Sequence, residues 1–152
     1  MGAALLVTAR VPSWREVPVL EDVKPEDVEG FVAAAARKAG LSDTASFAFL
    51  IKGRLGPYKA HVLQGANAGF KGHGSGMPMA RQMEERMPSG TGTVVGFFAA
   101  PHDVGVITHP GERIHAHLVA ADASRTSHLD SFGIGAGAVL MLPASGGKPA
   151  CG

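Results

Sequence analysis

The sequence predicts a single α+β domain: a strongly bent, mostly antiparallel or mixed β-sheet, a half-barrel, with one main helix packed against it. Three observations point there. Glycine at 21 and proline at 10 of 152 residues favour many turns over long helices. Only one segment carries apolar residues at convincing helical spacing, and most of the others read as short strands. At 45% apolar residues, a chain of this length can bury a core of its own. The domain is expected to span residues 1–143, followed by a flexible tail, 144–152.

Taken in order, Ala4 to Val11 reads as a strand carrying Leu5, Val7 and Val11. Pro12, Pro18 and Pro25 then punctuate an extended connection that holds Trp14. From Pro25 to Ala39 the period changes, and Val28, Phe31, Val32, Ala35 and Ala39 fall on one helical face. Pro25 suits the first turn, Glu26, Asp27 and Glu29 suit the positive end, and Gly40 suits the stop. Phe47 to Leu55 and Tyr58 to Leu63 read as two strands around Gly56-Pro57. Gly65 to Gly76 is a glycine-rich loop, and Met79 to Met87 is expected to be a short helix closed by Pro88 and Gly90. The remaining expected strands are Thr91 to Ala100, Val104 to Thr108, Arg113 to Ala121, His128 to Phe132 and Ala138 to Leu142.

Composition excludes several functions. Charged residues make up 18% and the net charge is +1. Such a chain lacks the basic footprint of a nucleic-acid binder and any polybasic membrane patch. Cys151 is the single cysteine, so no internal disulfide can form. The start has no basic region before its apolar run, and no run approaches the roughly 20 apolar residues of a membrane helix. A cytoplasmic location is the expectation.

The chemistry lies in the histidines. His115 and His117 sit two apart in IHAHLVA, so in a strand both imidazoles point to one face. Ile114, Ala116 and Leu118 then point to the other, as a core requires. Ten residues separate His117 from His128, with turn-like DASRTS between, which suits a hairpin returning His128 beside the pair. Three neutral imidazoles can take three corners of a tetrahedron and leave the fourth open. Zn2+ is the first candidate, and imidazole also suits other divalent transition metals. Asp130 and Glu112 stand where they could orient ligand imidazoles, or simply be solvated strand-end charges. His109 is expected either to line the same pocket as a proton carrier or to be a turn residue before Pro110. His61, His73 and His102 have no spacing that ties them to this cluster.

Other constellations fail their templates. GFKGHGSG, from Gly69, matches neither a phosphate loop nor a dinucleotide fingerprint. Ser75 lacks the G-x-S-x-G setting of a hydrolase nucleophile.

The stretch GTVVGFFAAPHDVGVITHPGERIHAHLVAADASRTSHLDSF resembles the C-terminal half of alpha-acetolactate decarboxylase. The carriers are the GTxVGF strand, the x-H-x-H-L pair after a P-G turn, and the closing H-x-D-x-F. ALLVTARVPSWREVPV and FAFLIKGRL also look like segments of a short, divergent branch of that family. The resemblance implies a zinc ion on His115, His117 and His128. It implies decarboxylation of a small 2-hydroxy-3-keto acid, 2-acetolactate, to acetoin. Lys52 would bind the substrate carboxylate, and His109 or Glu112 would handle protons. The chain departs from the family in three ways. It supplies about one of two similar halves, two family glutamates lack counterparts, and Leu50 stands where an arginine is expected. The same three-histidine hairpin resembles the small plant and prokaryote conserved domain. That likeness implies instead a non-catalytic, homo-oligomeric metal-binding module acting by interaction.

Overall fold

The computed structural model describes residues 9–42, 44–63 and 82–144. The elements run β1 (Trp14–Pro18), a 3-10 turn (Pro25–Asp27), α1 (Val28–Lys38), β2 (Phe47–Leu63), β3 (Gln82–Met87) and β4 (Gly90–Phe98). A second 3-10 turn (Pro101–Asp103), β5 (Ile114–Val119), β6 (Thr126–Ile134) and β7 (Val139–Pro143) complete them. The expected α+β class holds. Every strand pairing among the described residues is antiparallel, and the bend goes further than a half-barrel. β4, β5 and β6 follow one another, and β2 pairs β4 on one edge and β6 on the other, so four strands close into a barrel. β1 and β7 extend the sheet from the first half of β2.

β2 carries this closure because it is long. Two strands were expected around Gly56-Pro57; the chain instead runs through as one strand of 17 residues. The register against β6 shifts between Leu55 and Tyr58, so Gly56 and Pro57 fall in a bulge. A bulge is where a sheet tolerates a residue with no N–H.

Met79 to Met87 is corrected more sharply. Its described part, Gln82–Met87, is a strand and not a helix. One register continues from Phe47↔Phe98 to Leu63↔Gln82, so β3 and β4 lie end to end along β2. Pro88 interrupts the ladder where it would face Pro57, and neither residue can donate to it. The open edge of β2 offered more pairing than a six-residue helix could give itself, since so short a helix is marginal alone.

Val104 to Thr108, also expected as a strand, is a series of turns. The amides of Val106 and Ile107 both donate to the Asp103 carbonyl, and Gly105 takes a positive φ of 82°. Ser46 anchors this loop: its hydroxyl donates to Asp103 and accepts from the Ala100 amide. The strand expected over Ala4 to Val11 lies outside the described residues except at 9–11, which are irregular; the first strand among the described residues is Trp14–Pro18. The Gly65 to Gly76 loop and nearly all of the expected tail also lie outside them.

The core lies on one face of this sheet. Phe49, Ile51, Leu55, Val94, Ile134, Leu140 and Leu142 are fully buried there. α1 adds Val28, Val32, Ala35 and Ala36, and its alanines allow close approach. Among the described residues no helix is long and apolar enough to cross a membrane.

Candidate metal centre

The barrel places the histidines on the face opposite that core. In β5, Ala116 and Leu118 are buried, while His115 and His117 alternate with them. His115 lies beside Phe97 and His117 beside Val95 on β4. The β5–β6 hairpin turns over residues 120–125, where the Ala120 amide donates to the Arg125 carbonyl and Ala123 adopts φ 58°. That turn puts His117 directly opposite His128. The next pairing, β2 with β6, puts His61 directly opposite His128 on its other side. His117, His128 and His61 therefore form a row across three neighbouring strands.

The expected triad comes together. Ring centroids lie 5.1 Å apart for His115–His117, 5.0 Å for His115–His128 and 5.3 Å for His117–His128. One ligand atom from each falls within 4.8 Å of the others. The Nε2 atoms of His115 and His117 are 3.0 Å apart. Two imidazole nitrogens at about 2.0–2.1 Å from a tetrahedral zinc are roughly 3.3 Å apart. The pair thus needs to open by only a few tenths of an ångström, so the donor set fits a divalent transition metal.

Protonation favours the same use. Burial holds the His115 and His117 imidazoles below the ordinary histidine range, and neighbouring imidazoles push the same way. His128 is pushed down to about 4, first by burial and then by His115, His117 and His61, against a smaller opposing pull from Asp130. Near neutral pH these rings are uncharged, the form that binds a metal.

His109 approaches from the loop before β5, with ring centroids 5.6 Å from His128 and 5.9 Å from His115. Glu112 is exposed and lines a small cleft with Ile114, Leu129 and Asp130. Lys52 is exposed on β2, opposite Thr93 and Val139. It shares the imidazole face, two residues along from the Leu50–Val95–His117 row. His102 is set apart, exposed beside Asp103.

His61 corrects the sequence reading, which left it outside the cluster. Its ring centroid is 4.8 Å from that of His128, and its Nδ1 donates to Asp130 Oδ2 over 2.9 Å. The residues between His61 and His128 carry no local signal of the contact; it appears only once β2 closes on β6.

Neither a protein-family model nor a curated protein matches the sequence. Solved structures do match in fold. Alpha-acetolactate decarboxylase from Bacillus subtilis superposes with a TM-score of 0.60 at 16% identity over 88% of this chain and 53% of that one. A Staphylococcus aureus protein of unknown function, similar to alpha-acetolactate decarboxylase, gives 0.56 at 17% identity over 88% and 51%. The chain thus spans about half the length of these relatives. A plant- and prokaryote-conserved protein from Pyrococcus horikoshii gives only 0.45 at 14% identity over 96% and 87%, too loose a match to argue from. The fold is that of the acetolactate decarboxylase structures, at a distance that leaves the chemistry to be argued from the site.

Proposed function

We propose that this chain is a metal-dependent carboxy-lyase of acetolactate decarboxylase type, converting 2-acetolactate to acetoin. The observation that carries it is the cluster of three neutral imidazoles on one open sheet face, with ligand atoms within 4.8 Å. His115, His117 and His128 would hold the ion, Zn2+ or another divalent transition metal. A bound ion would supply a Lewis acid that stabilises the negative charge left on oxygen as carbon dioxide departs.

The other tasks belong to the chain's own residues. The substrate is a 2-hydroxy-3-keto acid, so a cation must meet its carboxylate; Lys52 is a basic side chain on the imidazole face, where Lys59, two residues before His61, is already paired with Glu84 over 3.5 Å. A proton must then reach the carbon that loses carbon dioxide. His109 is the better candidate, because its ring lies within 6 Å of two of the proposed ligands. Glu112 is the second, on the loop that leads into β5. Asp130, with Oδ1 3.9 Å from His128 Nε2, puts an acid beside the cluster, which also favours an enzyme.

The test is an assay of zinc-loaded protein for acetoin release from racemic 2-acetolactate. Turnover that disappears in His117→Ala, and falls about tenfold or more in His109→Gln, is the expected result. A loaded protein with no turnover would overturn the enzyme reading and leave a metal-binding module.

A further inference from the structure

His128 belongs to two ligand sets at once. One is the triad with His115 and His117; the other is His61, His128 and Asp130, whose donor atoms also fall within 4.8 Å of one another. The sets overlap only at His128. His61 therefore does not complete the first set as a fourth ligand. The two oxygens of Asp130 are divided: Oδ2 lies 2.9 Å from His61 Nδ1, and Oδ1 lies 3.9 Å from His128 Nε2. A hydrogen bond from His61 alone explains the first distance. The second distance leaves Oδ1 within 4 Å of the His128 ring, so one carboxylate borders both imidazoles.

We propose that the imidazole face carries a second divalent-cation position, formed by His61, His128 and Asp130, beside the three-histidine position and sharing His128 with it. Two imidazoles and one carboxylate form a borderline donor set suited to zinc or copper. A neutral imidazole offers a single lone pair, so His128 serves both ions only as a bridging imidazolate, its remaining N–H proton passing to solvent as the second ion binds. The second position is the more open, because Asp130 is exposed whereas all three histidines of the first position are half-buried. Its ion is accordingly the weaker and faster-exchanging of the two. The inference depends on the three-histidine reading through His128 alone.

A zinc titration of metal-free protein against a competing chromogenic chelator tests it. The wild type takes up two equivalents, the second bound at least tenfold more weakly. Asp130→Asn and His61→Ala each take up one tight equivalent, and His115→Ala/His117→Ala takes up one weak equivalent. Loading with two equivalents of Cu2+ gives the half-field paramagnetic resonance of a coupled pair, lost in His61→Ala. A single equivalent indifferent to His61 and Asp130 would overturn the second position and leave the triad standing. Two equivalents that persist in both variants would place the second ion elsewhere and overturn it too. No binding at all would overturn both positions.

Discussion

A histidine whose folded form resists protonation ties stability to pH. His128 is held at about 4 by burial and by its imidazole neighbours. In the unfolded chain the same ring titrates near 6.5. Between those values the unfolded chain binds a proton that the folded one refuses, so stability rises with pH there. The metal-free protein is therefore expected to melt at progressively lower temperature as pH falls from about 6.5 towards about 4. Above 6.5 both forms are neutral and this contribution is flat. Melting curves at pH 7.5 and 5 would read the drop, and His128→Gln should reduce it. A melting temperature indifferent to pH over that range would contradict the buried, neutral ring. Protons also compete with a metal for the same nitrogens, so zinc affinity should weaken over the same window.

At the scale of the element, strand β2 decides the architecture, and glycine makes its course possible. Gly53 sits at φ 119°, and a side chain there would press within 3.2 Å of the Ala138 backbone. Gly53→Ala is expected to destabilise the protein by about 1–3 kcal/mol, measured by denaturant unfolding. At Gly96 a methyl group would run into the ring of Phe49, the residue it pairs with. Phe49 is fully buried, so Phe49→Ala should cost about 3–5 kcal/mol. Local pattern made some elements readable. The alternation of IHAHLVA gave β5 and the shared face of His115 and His117, and the DASRTS turn placed His128 opposite. The helix at Pro25 to Ala39 was readable from its period and end residues. β3 was not, because methionines four apart look helical until the neighbouring strand offers a ladder. Nor was His61, because its contact with His128 depends on barrel closure between distant strands. Local periodicity carries no information about such closure.

At the scale of the whole molecule, the described residues present one face sealed by α1 and the core, and another that bears the imidazoles. On that second face Val95 is 39% exposed beside His117, so this edge of the cluster is open to solvent among the described residues. Openness suits a site that must admit a small acid. A bound metal should also stabilise the whole fold, because the unfolded chain has no assembled site. Removing zinc with a chelator is expected to lower the melting temperature of the wild type by several degrees and to change that of His115→Ala/His117→Ala much less. An equal response in both proteins would detach the metal from these histidines.

The central claim is that His115, His117 and His128 hold a divalent transition metal. Its most direct test is zinc content by plasma mass spectrometry, after loading and exhaustive dialysis, of the wild type beside His115→Ala/His117→Ala. The account predicts about one tightly held zinc per wild-type chain and almost none in the double variant. A wild type that retains no zinc, or a variant that retains as much as the wild type, would contradict it.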